Sequence, residues 1–238
     1  MRTKITEEDI DKEYNGGDQD TCVLDLEILL YFQLNDNFKV KRINKNVILT
    51  NDKNNKEIYL RGDNLITKKT MYRRIFFPSF KEYLNSKIEN DNHIYSYILM
   101  PHIKSAAKCQ LNSKRASVGE YSDNPFVFFT SLKSLYNSNF EKKTVDKVEE
   151  WIIKNKEFWE LFGNGNEGYK NYLKTFCLEE IEELMEFCDC NYKKFFEKRI
   201  IPEEWGQKEW TEYVEILYCF RDKRKKCLME RVSQISNL

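Results

Sequence analysis

The spacing of apolar residues along this chain changes near residue 120, from short runs of strand formers to helical intervals. Asp18, Asp20 and Thr21 supply cap residues and early negative charge ahead of Val23, Leu24, Leu26, Leu30 and Phe32, which predicts a helix over about residues 20–33. Three runs rich in strand formers follow, Phe38 to Ile43, Val47 to Thr50 and Glu57 to Leu60, and the polar turn at 51–55 joins the last two. They predict an antiparallel meander. Pro78 and Ser79 precede Phe80, Tyr83, Leu84 and Ile88, a short amphipathic helix, and His93 to Met100 reads as a strand stopped by Pro101.

Beyond residue 120, Asn124 and Pro125 place a cap and then proline at the first helical position, opening a helix from Phe126 to Tyr136. Thr144 can cap a second, carrying Val148, Trp151, Ile152, Phe158, Trp159 and Phe162 and ended by Gly163. Tyr169 to Phe187 predicts a helix with a break inside it, and Lys208 to Ile235 a last helix ~42 Å long. The pattern gives an α+β fold, with an antiparallel sheet in the N-terminal half packed against a mostly helical C-terminal half. With no repeat, low-complexity tract or linker in view, the expectation is a single domain over 1–238, a mixed half at 1–120 and a helical half at 121–238.

Composition narrows the class. At 41% hydrophobic and 33% charged, the chain is too apolar for disorder and too charged for a membrane protein. The segment from Met1 to Asp9 has no apolar h-region, and no run approaches the ~18 apolar residues of a membrane span, so a cytoplasmic protein with no membrane partner is expected. The odd count of seven cysteines at irregular spacing, in a chain of this size, predicts reduced thiols. Charge changes the picture more. The 39 basic and 39 acidic residues cancel, yet residues 1–36 hold ten acids against three bases, while Lys68 to Arg115 hold ten bases against three acids. The chain is dipolar.

Several familiar motifs fail on context. Gly163, Gly165 and Gly168 spell G-x-G-x-x-G, but a Trp/Phe-rich helix precedes them where a dinucleotide fingerprint needs a strand, so they read as a helix stop and turn. Cys188 and Cys190 are C-x-C, and His93 and His102 are the only histidines; a zinc site would need the fold to gather Cys177, Cys188, Cys190 and Cys219, and no metal or other cofactor is expected. Glu179, Glu180, Glu182, Glu183 and Glu186 make an acidic helix face of the ordinary solvated kind. Asp18 and Asp20 follow Gly16 and Gly17 too closely for a nucleotidyltransferase. Neither the D/E-x-K arrangement of nucleases on adjacent strands nor an R-x4-6-H element of histidine-dependent ribonuclease toxins is present.

Two basic regions remain. From His102 to Ser117 the chain leaves a strand through Pro101 and presents Lys104, Lys108, Gln110, Asn112, Lys114 and Arg115 among small residues, the donor set that holds phosphate or carboxylate by charge-assisted hydrogen bonds. In the last helix, Arg221, Arg224 and Arg231 fall on the apolar stripe of Trp210, Val214, Leu217, Leu228 and Ile235, so their stems line the core edge or their guanidinium groups point into a cleft. Arg73 and Arg74 beside Tyr72 and Phe76 pair basic and aromatic groups as single-strand binders do, although such aromatics more often pack in a core.

The chain also resembles an uncharacterised bacterial family, a domain of unknown function. Tyr59 to Ile66 is similar to its Y-L-x-S-D-x-I, Ile98 to Pro101 and Leu111 to Ala116 to its I-I-F-P and I-N-x-A-R-G, and Phe158 to Gly163 with Gly168 and Tyr169 to its F-F-x-L-F-G-D-F-x-G-Y. The similarity runs over about residues 57–229 and departs at Gly62, Lys114 and Ala116. It implies no mechanism, but groups Asp63, Asn112 and Arg115 as one site. The leading functional expectation is binding of a phosphate-bearing ligand, RNA, DNA or a nucleotide, by Arg73, Arg74, Gln110, Asn112, Lys114, Arg115, Arg221 and Arg224. Asp63, His102 and Arg115 are the candidates should chemistry occur. Two alternatives stay open: a protein-binding module, such as an inhibitor or accessory factor in bacterial or phage conflict, that uses the acidic faces, and a small-molecule enzyme built on Asp63, His102 and Arg115.

Overall fold

The computed structural model describes residues 6–13, 38–43, 46–51, 55–64, 82, 93–102, 125–143, 147–183, 185–186 and 207–236. In chain order these give α1 (Glu7–Asp11), β1 (Phe38–Ile43), β2 (Asn46–Asn51), β3 (Glu57–Asn64), a 3-10 turn (Ile94–Ser96) and β4 (Tyr97–His102). They continue as α2 (Pro125–Asn137), α3 (Lys147–Lys154), α4 (Lys156–Trp159) with a 3-10 turn (Glu160–Phe162), α5 (Gly165–Thr175) and α6 (Gln207–Ser236). The fold is α+β: a four-stranded antiparallel sheet in the order β1-β2-β3-β4, and helices from α2 onward. The helices predicted at about 20–33 and 80–88 lie outside the described residues, Glu82 excepted.

The meander holds because alternation puts Val47, Leu49, Leu60 and Leu99 on one face, all fully buried. That face continues into the helical core, where Phe128, Trp151, Phe158, Trp159, Phe162 and Tyr172 pack edge to face or tilted at ring separations of 4.7–6.2 Å. Two polar tips inside it find partners: the Tyr136 hydroxyl donates to the Trp159 carbonyl at 2.6 Å, and the Trp159 indole to the Ile152 carbonyl at 3.0 Å.

Pro101 does not stop its strand, as the sequence suggested; it lies within β4, opposite Leu60. β4 is an edge of the described sheet, paired on its β3 side alone, and a residue without an N–H is tolerated there. The strand also starts later than expected, at Tyr97, because residues 94–96 form a 3-10 turn. The helix expected to run on from Thr144 is interrupted at Asn155, whose side chain donates to the Trp151 carbonyl at 2.8 Å and so competes with the next helical turn. It ends at Gly163, as expected, with φ 109°.

Helices α2 and α5 both end in Schellman motifs. After α2, Phe140 N–H bonds to the Leu135 carbonyl and Asn139 N–H to Tyr136. After α5, Leu178 N–H bonds to Leu173 and Cys177 N–H to Lys174, with Cys177 at φ 54°. That second stop is the break anticipated inside the segment from Tyr169 to Phe187.

Candidate functional site

The most elaborate polar arrangement among the described residues centres on α6. Its buried stripe runs Val214, Leu217, Phe220, Arg224, Leu228 and Val232, so an arginine stands where the helical period calls for an apolar side chain. Arg224 is 1% exposed. Its Nε donates to the Phe176 carbonyl at 3.2 Å, and one Nη donates to the carbonyls of Tyr95, at 2.9 Å, and Tyr97. Two turns further on, Arg231 donates to the carbonyls of Thr175, at 2.6 Å, and Lys174. Positive charge thus meets the carbonyl end of α5, where the helix dipole favours it. Burial lowers the Arg231 pKa from its ordinary value, and the charge of Glu179 opposes the shift.

Beside Arg224 lies an aromatic and basic cluster. Arg221 sits over the rings of Tyr218 and Tyr95, at 4.5 and 5.5 Å from their centroids, and the Lys225 ammonium lies 5.7 Å from the Tyr95 centroid. His93 stacks on the same Tyr95 ring, 4.9 Å between centroids. Burial lowers the His93 pKa below its ordinary value, and the nearby Arg221 charge lowers it further; the Lys12 carbonyl, which accepts a hydrogen bond from the ring, and Glu13 pull the other way.

Arg221, Lys223, Arg224, Lys225 and Arg231 of α6 are therefore engaged within the fold. Arg224 is a buried anchor, and its expected place on a ligand-gripping face is corrected: its donors are taken by backbone carbonyls and 1% exposure leaves no surface for a phosphate. Lys223 bonds Glu180 at 2.7 Å and Glu183 at 3.2 Å, which hold its pKa above the usual range, and Lys225 pairs with Asp11 of α1. Glu182 pairs with Lys133 at 2.7 Å. The acidic face at 179–186 is thus partly neutralised by the chain itself.

Of the remaining candidates, Arg73, Arg74, Gln110, Asn112, Lys114 and Arg115 lie outside the described residues. Asp63 and His102 are placed by their backbone. Asp63 stands opposite Ile98, and His102 opposite Tyr59. They are four strand positions apart along the β3–β4 pair, ~13 Å at the usual rise per residue.

The glycine string is packing. Gly168 lies so close to Gly163 that a Cβ built on it would be 2.3 Å from the Gly163 carbonyl oxygen and 2.9 Å from the Tyr136 ring. α4 and α5 meet there without room for a side chain, which is the helix stop and turn expected. No group of three or more His, Cys, Asp or Glu able to hold a metal occurs among the described residues. Cys177 and Cys227 are joined in a disulfide with Cα atoms 5.9 Å apart, which overturns the expectation of reduced thiols at these two positions, and Cys219 is free and exposed. The bond was invisible to cysteine spacing because 50 residues separate the partners and only the docking of α6 on the α5 terminus brings them together. No described helix is long and apolar enough to cross a membrane.

No family model, curated protein or solved structure matches this chain.

Proposed function

We propose that this is a cytoplasmic protein that binds a phosphate-bearing ligand, RNA, DNA or a nucleotide, through the basic segment at 102–117 together with Arg73 and Arg74. The observation that carries this reading is charge: Lys68 to Arg115 hold ten bases against three acids, while the other basic run, on α6, is largely engaged by Glu180, Glu183, Asp11 and backbone carbonyls. A buried stem supports it as well, since Ile98, Leu99 and Met100 of β4 lie in the interior just before the segment begins. In this reading Arg115 grips phosphate, and Asn112 and Gln110 contact ligand edges. The resemblance to the uncharacterised bacterial family supports the same grouping of Asn112 and Arg115.

The test is a fluorescence-anisotropy titration with labelled single-stranded RNA and double-stranded DNA at two salt concentrations, wild type beside Arg115→Ala and Arg73→Ala. Binding that weakens with salt, and weakens further with a flatter salt slope in each variant, is the expected result. Equal affinity in wild type and both variants, or no binding to either probe together with no binding of a nucleotide by calorimetry, would remove the proposal.

A further inference from the structure

The disulfide lies where the two buried clusters of the described residues meet. One cluster contains the sheet and most helices, including Phe176 and Leu178; the second contains Ile10, Ile94, Tyr95, Tyr97, Leu228, Val232 and Cys177 itself. Cys177 is thus a residue of the second cluster flanked on both sides by residues of the first. Its partner, Cys227, stands on α6 between Arg224 and Arg231, the two arginines that grip the same α5 terminus. We infer that Cys177 and Cys227 form a redox latch: oxidised, they fix the end of α6, and with it α1 and the 94–97 turn, to the α5 terminus; reduced, they leave that junction to hydrogen bonds and packing alone.

Burial differs between the partners in a way that suits exchange. Cys177 is 3% exposed, whereas Cys227 is half-buried. In the closing reaction the Cys227 thiolate attacks one sulfur of a low-molecular-weight disulfide, expelling one small thiolate and leaving a mixed disulfide. The Cys177 thiolate then displaces the second small thiolate as the Cys177–Cys227 bond forms. The two protein thiols give up two electrons and two protons, and the small disulfide becomes two thiols. Opening is the reverse. Because the bond joins one end of α6 to a core that α2, α3 and α5 complete without it, opening loosens α1, the 94–97 turn and residues 227–236 rather than the whole chain.

The experiment equilibrates the full chain in oxidised and reduced glutathione buffers, alkylates free thiols for peptide mapping by mass spectrometry, and measures hydrogen exchange on the same samples. Cys177 and Cys227 should lose alkylation together and appear in one cross-linked peptide. Amides of 227–236 and 7–11 should exchange roughly tenfold or more faster in the reduced protein while those of 147–162 stay unchanged. Cys227→Ser should show the reduced pattern in both buffers; should it fail to fold, the wild-type comparison decides alone, since it needs no substitution. Three results would overturn the latch: Cys177 and Cys227 unlinked in oxidising buffer, exchange that is the same in both buffers, or reduction that speeds exchange everywhere at once, the mark of a staple on the global fold.

Discussion

At Arg224 a single side chain closes three backbone carbonyls from two distant segments. Replacing it by methionine, of similar length and able to fill the space, keeps the apolar stripe of α6 intact but leaves the carbonyls of Tyr95, Tyr97 and Phe176 without that donor. Hydrogen bonds to a charged donor contribute ~1.5–3 kcal/mol each and unpaired buried groups add a penalty, so Arg224→Met should cost about 3 kcal/mol or more, read from urea unfolding. Lys223→Met, one position earlier on the exposed side, should leave the midpoint nearly unmoved. His93 gives a pH signature. Its pKa is lowered in the folded protein below the ordinary 6.5, so above that pH both states hold it neutral and its contribution to stability is intact. As pH falls through 6.5 the unfolded chain takes up the proton first and that contribution is lost. Between about pH 7.5 and about pH 5.5 the wild type should therefore lose more stability than His93→Gln, and equal losses would show that the ring titrates freely.

At the scale of elements, the junctions of α5 decide where the helical half bends. Gly168→Ala would normally favour a helix by ~1 kcal/mol, yet here the new methyl meets the Gly163 carbonyl at 2.3 Å, backbone that cannot swing aside. Thermal unfolding should register a net loss of ~1–3 kcal/mol, the range for overpacking. At the other end, Cys177 takes a left-handed φ of 54° in a position that usually belongs to glycine. In reducing buffer, Cys177→Gly should melt above Cys177→Ala, because the glycine removes the steric cost of ~1 kcal/mol that the alanine keeps. These junctions also mark how far the sequence could be read. Alternation at Phe38 to Leu60 and helical spacing after Pro125 made the α+β layout legible, and Gly163 announced its own stop. The stop at Cys177 did not, since a cysteine at that position carries no glycine signal, and Pro101 looked like a terminator because its place on a sheet edge is not a local property. Arg224 lay on the apolar stripe in plain view, but its acceptors sit 127 and 129 residues away and cannot be found from spacing.

For the molecule as a whole, the neutral total conceals a division that folding partly repairs. Part of the acidic N-terminal stretch is carried back onto α6, where Asp11 meets Lys225 and Glu7 accepts from Ser233, so acid-rich and base-rich ends of the chain lie against each other. The basic stretch from Lys68 to Arg115 is the net positive charge left for a partner in the proposed reading, and the anisotropy titration is chosen to read it. The same long-range closure has a consequence for synthesis. Consecutive strands pair with consecutive strands, so the meander can assemble as it leaves the ribosome, and the helices from α2 to α5 can gather on it in turn. Arg224 emerges 127 residues after Tyr97, a delay of about 6 to 25 seconds at ordinary elongation rates. Throughout that interval the carbonyls of Tyr95 and Tyr97 lack the donor they will share, and the nascent chain waits for one late side chain before its 94–97 turn is sealed.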